Sequence, residues 1–303
     1  MQPSDELPTL ALIGAGNMGM GMVQRWRDLG GNMHICDLDP ERQIQAQALG
    51  CTVHPTPAEA AKALPAPGLL IVCVVTAQQC HEVLWGQQGA AEVLPAGATV
   101  MLCPTIAPRD VQEIAQRLAE QDVSTLDAPM SGGPVRAAAG TMSLMVAGDA
   151  VTQQIHRATL DRLADPVFVI SERVGDGAKT KLVNNLLAGI HLVGVAEALA
   201  LAETLGLDAR TTLGVVERSS GQSWIGSDRM HRALSGDLAP RAHMTLLAKD
   251  TGLAMQAARD AGFKGPLGGP ASEAFAHAMA LGMNDLDDAA MLEVMRQQAR
   301  VSE

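Results

Sequence analysis

The stretch Thr9-Leu10-Ala11-Leu12-Ile13-Gly14-Ala15-Gly16-Asn17-Met18-Gly19 decides the fold. Its first five residues form an apolar run that reads as a strand, and a helical pattern, Met18–Leu29, follows. Strand, G-x-G-x-x-G and helix in that order form the fingerprint of a dinucleotide-binding turn. Lacking Cβ atoms, Gly14 and Gly16 permit a tight turn and let a pyrophosphate reach the helix N-terminus, where N–H groups and the dipole favour anions. Gly19 lets the helix lie close on the strand, and Asn17 and Met18 join the glycines as candidate cofactor contacts. Asp37 closes the next apolar run, 18 residues beyond Gly19. A carboxylate there accepts hydrogen bonds from both ribose hydroxyls. A 2′-phosphate would meet its charge, and no arginine follows before Arg42. The segment reads as a site for NAD rather than NADP; the plainer alternative is a structural glycine turn with a capping aspartate.

Outward from this segment, Met33–Cys36, Leu69–Val75, Thr99–Leu102 and Ser124–Leu126 also read as strands. Pro40–Leu49, Pro57–Ala63, Gln78–Leu84 and Pro108–Gln121 read as the helices between them. Such alternation predicts an α/β domain with a Rossmann-type, doubly wound parallel sheet. Met142–Val146 and Pro166–Ile170 flank a helical stretch and are expected to extend the sheet, giving a first domain over 1–172. Past Gly177 the texture changes. Lys179–Thr204 has no proline and only two isolated glycines, which predicts a helix of about 26 residues and roughly 39 Å. Residues 173–303 are expected to form an all-α domain entered through this long interdomain helix. A helix with apolar residues on more than one face needs partners, so a homodimer or homotetramer is expected.

Composition sets limits on partners. With three Trp, three Phe and no Tyr, the chain lacks the aromatic platforms on which single-strand nucleic-acid binders stack bases. By count, 48 Ala, 30 Gly and 16 Met take their place in packing. The net charge of −11 repels phosphate backbones and anionic lipid. Through Glu172 there are 9 basic and 18 acidic residues, so an anionic ligand must be held by local donors. No run of 18 uncharged apolar residues occurs, so no membrane span is expected. The opening MQPSDELPTL, acidic and proline-containing, reads as neither signal nor transit peptide. Cys36, Cys51, Cys73, Cys80 and Cys103 form no C-x-x-C pair and read as buried thiols of a reducing, cytoplasmic compartment. The eight His show no ligand spacing, so no metal site is expected. His191, on the long helix, reads as a core or interface residue.

Two further segments carry chemistry. In Asp127-Ala-Pro-Met-Ser131-Gly132-Gly133-Pro134, a hydroxyl followed by two side-chain-free N–H groups makes a cradle suited to a carboxylate. A plain strand-to-helix turn is the equal alternative. In Gly175-Asp-Gly-Ala-Lys179-Thr-Lys181-Leu-Val-Asn184-Asn185, Lys181 and Asn185 stand four apart and share a helix face. An ammonium is a proton donor whose pKa falls on partial burial, which suits a general acid–base. Asn185 could hold a substrate hydroxyl or orient that lysine; the bland alternative for Lys181 is a solvated helix charge.

Together these motifs resemble the β-hydroxyacid dehydrogenase family, which includes the 3-hydroxyisobutyrate dehydrogenases and tartronate semialdehyde reductases. The likeness runs nearly the whole chain, through GAGNMG, CPTIAP with Thr105, DAPMSGG, GDGAKTKLVNN and LAKDTGL with Lys249. It implies that Lys181 is the catalytic lysine and that Ser131, Gly132, Gly133 and Asn185 contact a small carboxylate substrate. Thr105 and Lys249 then match cofactor contacts near the nicotinamide. GNMGMGM, LLAGIHL and SGQSW are most similar to the L-threonate dehydrogenases, which puts Trp224 beside the substrate. That subgroup carries His-Gln where this chain has Asn184-Asn185, a pair similar instead to the 3-hydroxyisobutyrate and tartronate semialdehyde enzymes. The implied reaction passes a hydride between a nicotinamide and 3-hydroxyisobutyrate, glycerate or a four-carbon sugar acid such as threonate. Three alternatives fit less well. Decarboxylases of the 6-phosphogluconate type have a much longer helical domain, imine reductases usually lack the lysine, and a non-catalytic NAD sensor would need neither lysine nor cradle.

Overall fold

The computed structural model of the chain describes residues 7–301. Residues 1–6 of the segment read as neither signal nor transit peptide lie outside them. The chain divides into two compact units, Met1–Lys181 and Leu182–Glu303.

In the first unit, alternate strand residues face two separate cores, the pattern of a sheet covered on both sides. The elements are β1 Leu10–Ile13, α1 Asn17–Asp28, β2 Met33–Cys36, α2 Pro40–Ala48, β3 Thr52–Val53 and α3 Pro57–Lys62. Next come β4 Leu69–Val72, α4 Ala77–Trp85, β5 Thr99–Leu102, α5 Pro108–Ala119, β6 Ser124–Asp127 and β7 Met130–Ser131. The unit closes with α6 Gly133–Ala139, β8 Ser143–Ala147, α7 Ala150–Leu163 and β9 Val167–Ser171. Leu10 and Leu12 join one core with Met22, Trp26 and Leu160, while Ala11 and Ile13 join the other with Leu84, Ile114 and Leu118. The sheet order is β3-β2-β1-β4-β5-β6-β8-β7, with β9 paired to β8.

Strands β1 to β6 are parallel throughout, as the alternation requires. Three details depart from the sequence reading. β3 and β7 have two residues each, too short to show a period. β4 stops at Val72 rather than Val75, because the chain turns to Thr76, which caps α4 in a reciprocal capping box with Gln79. β8 runs antiparallel to β6 and β7. The chain re-enters the sheet from the end at which β6 left it, so the sheet is mixed at this edge.

The methionine-rich start of α1 is a close contact. A Cβ on Gly21 would fall 2.7 Å from the Ala137 Cβ, so α1 and α6 meet nearly backbone to backbone. All five cysteines are free and four are buried, with Cys73 half-buried. Burial pushes the Cys73 thiol up to about 12 and Cys103 well above its usual value.

α8, Asp176–Thr204, begins in the first unit and continues through the second, three residues earlier than Lys179. Around it stand α9 Ala209–Val216, α10 Trp224–Ser235, α11 Met244–Asp260, α12 Gly268–Ala280 and α13 Met291–Val301. By length and composition α8 could cross a membrane. Its Leu192, Val195, Ala196 and Leu199 instead lie in the core of the second unit with Met230, Met244 and Phe275. His191 is exposed on the same helix, which removes the core reading of that residue.

The second unit is tied together by Asp287, fully buried in the turn before α13. It accepts N–H bonds from Arg241, Ala242 and Ala289 and pairs with Arg232 at 2.5 Å. Burial alone would push this carboxyl up, but the N–H bonds and the Arg232 charge outweigh it and hold it low. Asp287→Ala leaves Arg232 buried with only Asp237, 3.8 Å away, as an opposite charge, and the expected loss is about 3–5 kcal/mol by urea unfolding at pH 7. A carboxyl held low stabilises above its unfolded value and loses that contribution as pH falls. The gap between wild type and variant should therefore narrow in acid.

Candidate active site

The first unit builds a dinucleotide turn at the end of β1. Gly14 has φ +92°, and a Cβ there would lie 2.7 Å from the Cys73 carbonyl, so only glycine fits between β1 and β4. Gly16 caps α1 with no side-chain partner, no acidic residue occupies the first turn, and a Cβ on Gly16 would find nothing within 4 Å. This open, uncapped helix start fits a pyrophosphate. Gly19 packs against the Gly14 carbonyl. Asp37 lies beside the turn: its Oδ2 accepts the Ala15 N–H at 2.5 Å and its Oδ1 the Asp39 N–H at 2.8 Å. Arg42 folds back and donates to Asn17 Oδ1 at 2.7 Å. Met18 is half-buried on α1, and Thr105 is half-buried in the turn between β5 and α5.

The same unit carries the glycine cradle. Ser131 ends β7, and Gly132 and Gly133 follow with φ of +128° and +76°, a left-handed backbone that favours glycine. All three are half-buried. Four residues ahead of Ser131, Asp127 ends β6 at 1% exposure. Its Oδ2 accepts N–H bonds from Gly175 at 2.9 Å and Ala178 at 3.0 Å, so it caps the start of α8. Burial pushes the Asp127 carboxyl up to about 6 against the pull of these N–H bonds. Lys181, one turn beyond Ala178, is only 7% exposed. It is not a solvated helix charge.

Asn185 follows one turn later on α8, 8% exposed. Its Nδ2 donates to Asp250 Oδ2 at 2.5 Å, and its Oδ1 accepts from Asn184 Nδ2 at 2.9 Å. Lys249 Nζ stands 2.7 Å from Asp250 Oδ1 as an ion pair. Within the second unit, then, one buried carboxylate on α11 fixes both Asn185 and Lys249. Trp224 is the first residue of α10, after the Ser223 cap, and is 53% exposed. It belongs to neither group.

Asp127 and Asp250 stand inside the DAPMSGG and LAKDTGL motifs, but neither carries a role that the sequence alone makes plain. The available signal was position. Asp127 is a carboxylate at the end of an apolar strand run, and Asp250 adjoins a lysine on an otherwise apolar helix turn.

Two family models match the chain. The NAD-binding domain of 6-phosphogluconate dehydrogenase matches residues 9–171, and the NAD-binding domain of NADP-dependent 3-hydroxyisobutyrate dehydrogenase matches 175–295. An L-threonate dehydrogenase of Cupriavidus necator is 35% identical over 288 residues, covering 94% of this chain and 95% of that protein. A crystal structure of 3-hydroxyisobutyrate dehydrogenase from Salmonella typhimurium superposes with a TM-score of 0.89 at 33% identity, covering 95% of this chain and 100% of that one. The 3-hydroxyisobutyrate dehydrogenase of Mycobacterium tuberculosis, solved with L-serine, gives 0.82 at 28% identity over 96% and 99%.

Asp37 supplies the local test of the cofactor site. Asp37→Ser removes a charged acceptor worth about 1.5–3 kcal/mol per hydrogen bond. Titration calorimetry should show NADH binding weakened about tenfold or more, with the preference over NADPH reduced.

Proposed function

The chain belongs to the β-hydroxyacid dehydrogenase family and is an NAD-dependent hydroxyacid dehydrogenase, and from that premise we propose that its substrate is a four-carbon sugar acid such as L-threonate. 3-Hydroxyisobutyrate and the glycerate–tartronate semialdehyde couple are the other members of this class that the site would accept. Lys181 acts as general acid–base. The observation that carries this reading is the pair of buried polar side chains, Lys181 and Asn185, on successive turns of α8. A buried amine beside a substrate hydroxyl can give or take that hydroxyl's proton without competition from bulk water. The five relatives named L-threonate dehydrogenase, all 34–35% identical, support the substrate class.

The substrate carboxylate docks on the Ser131 hydroxyl and the N–H groups of Gly132 and Gly133. Asn185, with one N–H and one lone pair left after Asp250 and Asn184 are served, holds a substrate hydroxyl. Lys181 Nζ takes the proton of the hydroxyl being oxidised. In reduction the charged lysine returns it and stabilises the negative charge developing on that oxygen. A bound nicotinamide would supply the hydride acceptor or donor for the carbon bearing that hydroxyl. Gly14, Gly16, Asn17, Met18 and Gly19 would hold its pyrophosphate, Asp37 its adenosine ribose, and Thr105 and Lys249 its nicotinamide end. Asp37 makes NAD the preferred form. Trp224 walls the substrate. The protein works in the cytoplasm.

It works as a homo-oligomer. Val183, Leu187, Leu201 and Leu205 are large apolar residues left exposed on or beside α8, spaced so that one stripe contains Gly194 and Ala198. A second copy covers this stripe, and the small residues at its centre let the helices approach. Leu187→Glu should convert the wild-type oligomer to monomer in light scattering at micromolar concentration; a wild-type protein already monomeric there would refute the assembly.

Lys181→Ala should lower kcat by about 10²–10⁴-fold, the usual worth of a general acid–base, with NADH affinity within about twofold. Normal turnover by that variant would sink the mechanism. A panel of 3-hydroxyisobutyrate, glycerate, L-threonate, erythronate and β-hydroxybutyrate with NAD ranks the substrates. The sugar-acid reading predicts the highest kcat/KM on threonate or erythronate.

A further inference from the structure

We propose that Asp127 is a positioning residue for the reaction, setting where Lys181 stands relative to the Ser131–Gly133 cradle. The inference rests on the reading of Lys181 as the proton-transfer group. Its physical basis is a joint between β6, β8 and the first turn of α8. Asp127 Oδ2 accepts two N–H groups from that turn, those of Gly175 and Ala178. A Cβ on Gly177 would lie 2.7 Å from the Asp127 carbonyl oxygen and 2.8 Å from that of Met145. The helix therefore abuts two strands with no room for a methyl group, and its start cannot slide or tilt while the joint holds.

The cradle and the lysine both leave from the joint. The cradle begins four residues along the chain at Ser131, and Lys181 stands three residues, about 4.5 Å of helix rise, beyond the pinned Ala178. A carboxylate is the strong choice of acceptor, since charge-assisted bonds to N–H groups are roughly twice as strong as neutral ones. It is a costly choice for the fold. Burial holds the carboxyl up at about 6, so the group's unfavourable contribution to stability grows as pH rises from about 4 through 6. The titratable groups facing it are Asp176, on the same helix start, whose charge opposes its ionisation, and the Cys103 thiol beyond β5, which burial holds neutral. A cap kept for stability alone would gain by being neutral. As pH falls through about 6, protonation weakens both bonds and loosens the lysine.

Two variants break the joint from its two sides. Asp127→Asn keeps an oxygen for the N–H groups and removes the charge; Gly177→Ala forces the helix start off the strands. With the best substrate of the panel, Asp127→Asn should lower kcat about tenfold, with KM and NADH affinity within about twofold. The acid limb of the wild-type rate near pH 6 should disappear. Its urea midpoint at pH 7.5 should match or exceed wild type. Gly177→Ala should show the same kcat–KM split, and amide exchange over 175–181 should quicken in both, a readout that needs no turnover. If Asp127→Asn fails to fold, Gly177→Ala carries the test. A folded variant with wild-type kcat and exchange overturns the inference, as does a parallel loss of kcat and NADH affinity. Lys181→Ala with wild-type turnover overturns the lysine reading instead, and does so with Asp127 intact.

Discussion

A carboxylate taken out of water at the end of β6 is the constraint on which the first unit's site depends. Asp127 could be left exposed at lower cost, yet it is 1% exposed and binds the Gly175 and Ala178 N–H groups at the start of a 29-residue helix. In exchange, the register between sheet and helix is fixed at one point. A sheet edge alone would leave the start of α8 free to fray, and a glycine at 175 and another at 177 would encourage it. With the carboxylate present, the same glycines become the means of contact.

Asp250 repeats this logic in the second unit with side chains instead of backbone. It holds Asn185 and Lys249 from a single point on α11. Breaking one bond of such a set leaves a buried charge short of partners, so the three side chains stand or fall together. Asn184 also lies inside this set. Asn184 donates to Asn185, which fixes the amide orientation from one side while Asp250 fixes it from the other. Substituting at 184 would thus change which lone pair and which N–H Asn185 has left to offer.

Much of this architecture is legible in the sequence, for reasons particular residues make clear. β1, β4 and β5 are short apolar runs ended by glycine, cysteine or proline, and their alternation with helical patterns forces a parallel sheet. The dinucleotide turn is legible because glycine there answers local sterics. What stays hidden depends on distant partners. The start of α8 at Asp176, three residues before the Lys179 read from sequence, depends on a cap 48 residues earlier than Gly175. The tie between Asn185 and Asp250 spans 65 residues and has no periodic signature. The direction of β8 is set by where the chain re-enters the sheet, which no local pattern encodes.

The acid excess of the chain acquires a different meaning in this light. A net charge of −11, concentrated before residue 172, would seem to oppose any phosphate or carboxylate ligand. At the turn, the cap and the α11 tie, however, each carboxylate is bonded to donors of the protein: Asp37 to Ala15 and Asp39, Asp127 to Gly175 and Ala178, Asp250 to Asn185 and Lys249. Each of these three carboxylates is thereby satisfied within the protein. Glycine supplies such donors without side chains in the way, and it needs no aromatic ring beside it. In a chain with six aromatic residues and thirty glycines, these three carboxylates hold backbone and side-chain donors in place rather than facing a ligand.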